Sequence, residues 1–315
     1  MAATPTLGIA ASRTCAEHVP NPGHPERPER MAAALAGAAL EGSVALAVDA
    51  DSSRVEGAIA RVHDPRQVAR LRAAAASAPR LFDCDDNPVS AGTASAAEAA
   101  VASVLAAVDA LVSGVTRITW SPVRPPGHHA LRDRAMGFCF FNNVAVAAEE
   151  LLARGVCPLA IVDFDVHHGN GTQEHFWRRD DVFFFSVHQY PFYPGSGAGD
   201  EIGEGRGRGY TRNTPVAAAS GDDTFEDAIA AGLDEVLDAM KPACWLVSAG
   251  FDAHEADPLG GLRVTEAGFA AAGRLLRQAS QGSPILSVLE GGYDPEALRR
   301  SVRSFLEEVT HIGTP

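Results

Sequence analysis

Asp163, Asp165 and His167 stand two residues apart at the end of the apolar run Leu159-Ala160-Ile161-Val162. A β-strand turns successive side chains to opposite faces, so this spacing puts two carboxylates and an imidazole on one side. Short apolar runs of this kind mark strands buried in parallel sheets, and open α/β sheets bind ligands outside the carboxyl ends of such strands. Acids often follow strands. Asp-x-Asp-x-His-His running into Gly169-Asn170-Gly171 is nevertheless an unusual polar loop, and its donor types are those of a metal site.

Three further polar clusters follow apolar runs. Arg124-Pro125-Pro126-Gly127-His128-His129-Ala130 comes after Val115–Ser121, Gly250-Phe251-Asp252-Ala253-His254 after Cys244–Ala249, and Glu290-Gly291-Gly292-Tyr293 after Pro284–Leu289. Parallel strands would deliver all of them to one rim. Asp252 would then complete an Asp-His-Asp set with Asp165 and His167: three protein ligands and an open position, as a catalytic zinc requires. A set of oxygen and nitrogen donors without cysteine suits Zn²⁺, and also Fe²⁺ or Co²⁺. The adjacent imidazoles of His128 and His129 have a use beside it, since one can take a proton from an attacking water while another donates to a leaving amine. Each needs an acceptor for its second nitrogen, and Asp163 and Asn170 are the nearest in the same motif. Asp163 should make its histidine the more basic of the two.

The elements that must hold these loops alternate along the chain. Strands are predicted at Val115–Ser121, Leu159–Asp163, Val182–His188, Cys244–Ala249 and Pro284–Leu289, and helices at Thr93–Val112, Asn142–Ala153, Thr224–Met240, Thr265–Ala279 and from Asp294, an N-cap before Pro295, through Glu308. This βαβ series implies an α/β fold with a mostly parallel sheet covered by helices on both faces. A chain of 315 residues, 46% hydrophobic and without a linker, is expected to form a single domain over residues 1–315. The five cysteines form no C-x-x-C pair, which argues against disulfides and thiolate zinc sites. With no long uninterrupted apolar stretch and no secretory signal pattern, a cytoplasmic location away from membranes is expected. A net charge of −14 opposes nucleic acid and favours cationic ligands such as lysine-rich peptides or polyamines.

Six motifs in order, the three rim clusters together with Gly137-Phe138-Cys139-Phe140-Phe141-Asn142-Asn143, the Asp163–Gln173 segment and Tyr193-Pro194-Gly195-Ser196-Gly197, resemble the zinc-dependent histone deacetylase family of the arginase-deacetylase superfamily. The resemblance starts at His24-Pro25-Glu26-Arg27-Pro28 and runs almost to the C-terminus. It is closest to the class II branch and the bacterial histone deacetylase-like amidohydrolases, because Asn170 stands where class I members carry aspartate.

The resemblance implies an arginase-like α/β fold and removal of an acyl group from lysine in a protein or peptide, with acetylated polyamines as the alternative substrate. It implies zinc on Asp165, His167 and Asp252, His129 as general base and acid, His128 as its electrostatic partner, and Asp163 and Asn170 as their orienting groups. Tyr293 would bind the scissile carbonyl; class IIa members carry histidine there and are feeble deacetylases, so tyrosine argues for real activity. Phe138 and Tyr193 would wall a narrow tunnel, the Gly137 carbonyl would accept the substrate amide hydrogen, and Asp83 would clamp the peptide backbone at the rim. Leu259 occupies the mouth position at which polyamine-specific relatives place a glutamate. A structural K⁺ would sit on Asp163, the backbone of Asp165 and His167, and Ser186.

Other readings of these residues are weaker. An arginase-type ureohydrolase would want a further carboxylate where Gly169 stands, a serine hydrolase would want G-x-S-x-G, and a non-catalytic reader of acyl-lysine has no need of Tyr293 and two histidines. His18, His24, His63, His175 and His311 lie outside the clusters and read as structural or solvated. His188 and His254 lie nearer but are not required as ligands, and Cys139 reads as packed rather than nucleophilic.

Overall fold

The computed structural model describes residues 6–311; the ends of the expected 1–315 domain, residues 1–5 and 312–315, lie outside it. The described residues form ten strands: β1 (Leu7–Ile9), β2 (Ser43–Ala45), β3 (Arg80–Phe82), β4 (Cys84–Val89), β5 (Ile118–Ser121), β6 (Leu159–Asp163), β7 (Val182–Gln189), β8 (Thr211–Val216), β9 (Cys244–Ala249) and β10 (Ile285–Leu289). The helices are α1 (Glu29–Gly37), α2 (Ser52–Val62), α3 (Arg66–Ala76), α4 (Thr93–Val112), α5 (Asn143–Ala153), α6 (Asn170–Phe176), α7 (Asp222–Ala239), α8 (Glu266–Ser280) and α9 (Pro295–Thr310).

Eight strands make one parallel sheet in the order β2-β1-β5-β10-β9-β6-β7-β8, and β3 and β4 pair antiparallel as a separate hairpin. Alternation along the central strands feeds two cores. Ile161, Phe184, Leu246 and Leu286 pack under α2–α5, whereas Val162, Phe185, Trp245 and Val247 face α1 and α7–α9. Helices therefore cover both faces, and the fold is the α/β sheet that the sequence predicts. Each such side chain, once fully buried, contributes about 1.5–3 kcal/mol.

Five strands escape the pattern: β1 and β2 are three residues long, β3 and β4 form the hairpin, and β8 is an edge strand carrying Pro215. Among the described residues α4 is long and apolar enough to span a membrane, but 78% of that window is buried within the fold. It belongs to the core beneath the sheet.

The four rim clusters leave β5, β10, β9 and β6, which are consecutive neighbours in the sheet. In register, Asp163 lies beside Ser248 on one side and Ser186 on the other.

Candidate active site

Beyond β6 the chain keeps its alternation for four more residues, and the backbone is pinned as it goes. Asp163 Oδ1 accepts from Asp165 N at 3.2 Å, Asp165 Oδ1 from His167 N at 2.9 Å, and Asp252 Oδ1 from Val166 N at 2.9 Å. These bonds turn Asp165, His167 and Asp252 towards one point, with one ligand atom from each lying within 4.8 Å of the others. The His167 Nδ1 is 3.1 Å from both Asp165 Oδ1 and Asp252 Oδ2. Gly291 completes the cradle: its N–H donates to Asp165 Oδ2 at 2.7 Å, and a Cβ there would sit 2.1 Å from Asp252 Oδ2.

Asp165 and Asp252 are both buried, and two carboxylates this close require positive charge between them. Burial and Asp165 push Asp252 up to about 7, while His128 and His167, acting against burial, hold Asp165 well below the usual carboxylate range. Against burial, Asp165 and Asp252 push His167 up to about 10. Two buried carboxylates and one imidazole, of which Asp252 and His167 otherwise take up protons, fit a divalent cation of the zinc type.

The two histidines of the β5 loop stand against this cluster with rings 4.1 Å apart. His128 Nδ1 donates to Asp163 Oδ2 at 2.9 Å, and His129 Nδ1 to Asn170 Oδ1 at 2.7 Å. Each second nitrogen thus meets one of the two acceptors named from the sequence, and Asp163 takes His128. The partners drive the pair apart. Against burial, Asp163 and Asp165 push His128 up to about 10; burial, then His128 and His167, push His129 well below its ordinary value. The partners favour a charged His128 and a neutral His129, and only a neutral imidazole can accept a proton.

A cavity of about 240 Å³ opens over the cluster, lined by Asp86, His129, Gly137, Phe138, His167, Tyr193, Leu259 and Tyr293. Phe138 meets Tyr293 edge-on at 5.8 Å, and Tyr193 meets His129 edge-on at 5.2 Å. The wall is built on unusual backbone: Gly137 has φ 58° and Phe138 φ 66°. A Cβ at Gly137 would lie 2.2 Å from His129 Cδ2, so glycine lets the wall close on the histidine. The Gly137 carbonyl accepts from Cys139 Sγ at 3.2 Å, and burial keeps that thiol protonated. Burial likewise raises the Tyr293 phenol well above its ordinary value, keeping it a donor.

Asp83 is not brought to the cavity. Its carboxylate pairs with Arg70 and accepts from Ala135 N at 2.9 Å, and its backbone sits at φ 64°. The mouth carboxylate is Asp86, three residues on along β4, which accepts from Gly137 N at 3.2 Å and from the Tyr193 hydroxyl at 2.9 Å. Ser186 lies beside Asp163 in register, with its hydroxyl 2.8 Å from His188 Nδ1. The neighbouring Ser248 hydroxyl is buried and has no hydrogen-bond partner among the described residues. His254 turns away to Glu266, and His63 bridges Leu131 O and Asn142 N.

Sequence reasoning passed over a buried charge group beneath the site. Glu26 joins Arg124, at 2.6 Å through Nε, to Arg30 at 3.0 Å. Arg30 in turn donates to Gly292 O and Glu290 O, each at 2.5 Å, and stacks 4.6 Å from the Tyr293 ring. It therefore fixes the turn that carries the tyrosine. His24, given a structural reading above, packs edge-on at 4.7 Å against Phe138. Glu26 and His24 both stand in the His24–Pro28 motif, which was their available signal.

A histone deacetylase domain profile matches residues 24–309. The histone deacetylase-like amidohydrolase of Pseudomonas aeruginosa is 37% identical over 257 residues, 80% of this chain and 67% of that protein. A probable deacetylase of Archaeoglobus fulgidus is 33% identical over 299 residues, 92% of this chain and 82% of that one. Among solved structures, the HDA15 HD domain superposes with a TM-score of 0.91 at 31% identity, covering 98% of this chain and 89% of its own. An acetylpolyamine aminohydrolase from Burkholderia pseudomallei superposes with a TM-score of 0.85 at 32% identity, covering 96% and 98%.

Proposed function

The chain belongs to the histone deacetylase family, and we propose that it is a zinc-dependent amidohydrolase that removes acetyl or another acyl group from lysine side chains of proteins or peptides. The observation that carries this reading is the meeting of Asp165, His167 and Asp252 with the His128-His129 pair at the foot of a cavity walled by aromatic rings. Asp165, His167 and Asp252 would hold the cation, which would supply Lewis acidity for the acyl carbonyl and for water.

The remaining work falls to the chain. The neutral His129, oriented by Asn170, takes a proton through Nε2 as water oxygen attacks the acyl carbon, and returns it to the amine nitrogen as the C–N bond breaks. His128, held charged by Asp163, supplies positive charge beside the developing oxyanion. The Tyr293 hydroxyl donates to the acyl oxygen where charge builds, an interaction worth about 3 kcal/mol for a typical single donor. Phe138 and Tyr193 enclose the methylenes of the acyl-lysine side chain, which excludes water from the reacting bond. We assign K⁺ to Asp163, Ser186 and the backbone of Asp165 and His167, with the Ser248 hydroxyl, unpartnered among the described residues, in the same row.

The likeness to an acetylpolyamine aminohydrolase supports a second substrate class. Leu259 at the mouth speaks for the first, because an apolar side chain offers a remote ammonium no partner and the mouth carboxylate, Asp86, already accepts from Gly137 N and the Tyr193 hydroxyl. A panel of acyl-lysine peptides and acetylpolyamines, assayed with zinc-loaded protein before and after chelation, tests both. Turnover of acyl-lysine that chelation stops is expected; hydrolysis unaffected by chelation would end the reading.

A further inference from the structure

Glu290, the first residue after β10, is fully buried and touches the histidine loop rather than the cavity. Its Oε2 accepts from Gly127 N at 2.6 Å and from His128 N at 3.1 Å. The His128 carbonyl is held from the opposite side by Gly171 N at 3.0 Å and Thr172 N at 3.2 Å, where α6 begins. The peptide that carries both imidazoles is thus gripped at two ends, and Glu290 is the grip at the N–H end. Its other oxygen, Oε1, is buried without a hydrogen-bond partner among the described residues. A buried acceptor left unpaired is costly to a fold, and such local costs concentrate where a site needs them.

We propose that Glu290 is a positioning residue for the histidine pair: Oε2 fixes the Gly127–His128 backbone so that His128 Nδ1 meets Asp163 and His129 faces the cavity. The inference rests on the amidohydrolase reading above. The neighbouring Gly291 N–H grips Asp165, so one short turn sets the histidines and the acid cluster against each other. Small displacements matter here, since a shift of about 1 Å in reacting groups can lower a rate roughly a hundredfold.

Two variants separate the acceptor from its charge. Glu290→Gln keeps an oxygen at full reach without the charge, whereas Glu290→Asp keeps the charge and withdraws the oxygen by about one bond, roughly 1.5 Å. With an acetyl-lysine peptide, kcat is expected to fall a few-fold in Glu290→Gln and about 10- to 100-fold in Glu290→Asp and Glu290→Ala, with KM and metal content unchanged. Wild-type kcat in a folded Glu290→Ala, or a Glu290→Gln as impaired as Glu290→Asp, would overturn the proposal. The second readout needs no turnover: the downfield proton NMR resonance of His128 Nδ1–H, identified by its loss in Asp163→Asn, is expected to persist in Glu290→Gln and to move or vanish in Glu290→Asp. A resonance unmoved in Glu290→Asp overturns the proposal even if the wild-type protein cleaves no acyl-lysine, the result that would instead overturn the proposed function.

Discussion

His129 and Asn170 are joined by a 2.7 Å hydrogen bond from the imidazole Nδ1 to an amide oxygen, so the proposed base leans on a neutral partner. Burial, His128 and His167 already hold this imidazole well below its ordinary value. Asn170→Asp would put a carboxylate on the same nitrogen and favour the imidazolium. The acid limb of kcat/KM should then move to higher pH by about one unit or more, measured as a full pH–rate profile. A limb that stays in place would remove Asn170 from the proton shuttle.

Asp252→Ala leaves a carboxylate and an imidazole at the cluster, too few donors to hold zinc tightly. The variant should lose its metal on dialysis and its activity with it, read by metal analysis per chain. Chelation of the wild-type protein should lower its Tm as well, because bound metal at a thousandfold excess over Kd contributes about 4 kcal/mol to stability. An active, metal-free Asp252→Ala protein would contradict the assignment.

Tyr293→Phe keeps the ring between Phe138 and Arg30 and deletes only the donor. Loss of a single oxyanion donor typically lowers kcat by about 10²–10³, and KM and metal content should hold. Unchanged kcat would mean that another group polarises the carbonyl.

Acetyl-lysine peptides should show higher kcat/KM than N8-acetylspermidine, and Leu259→Glu should move the ratio towards the polyamine. A tenfold wild-type preference for the polyamine, about 1.4 kcal/mol in the transition state, would reverse the substrate assignment.

His63 is built to stay neutral. Its Nδ1 donates to Leu131 O at 2.9 Å while its Nε2 accepts from Asn142 N at 2.8 Å, and burial lowers its pKa to about 4 from 6.5. The unfolded chain therefore takes up this proton first. The stability that His63 contributes is whole above pH 6.5 and declines as pH falls to about 4, by roughly 3 kcal/mol at most. Denaturant titrations at pH 7 and pH 4.5 should show a smaller acid loss in His63→Gln, whose amide supplies a donor and an acceptor but takes no proton. An identical loss would place the acid sensitivity elsewhere.

The meeting of Asp165 and His167 was legible because strand alternation continues past β6 into both residues, where a period of two alone predicts a shared face. The mouth was not. In the β3–β4 hairpin the register shifts between Leu81 and Phe82 and Asp83 adopts a left-handed turn, so the carboxylate that reaches the cavity is Asp86, three residues further on. Arg30 was invisible for another reason: its contacts to Glu290 and Gly292 span 260 and 262 residues of sequence, and no local periodicity encodes them. The short strands β1 and β2 offer three residues each, too few for alternation to register.

Phe138 holds its ring on the cavity from a left-handed backbone that costs a bulky residue about 1–2 kcal/mol. Selection can read that cost in two directions. Evolution in the laboratory for heat resistance alone would pull this position towards glycine or asparagine, whereas evolution for turnover would restore the aromatic ring. The residue found at 138 after such a campaign would therefore record which pressure had prevailed.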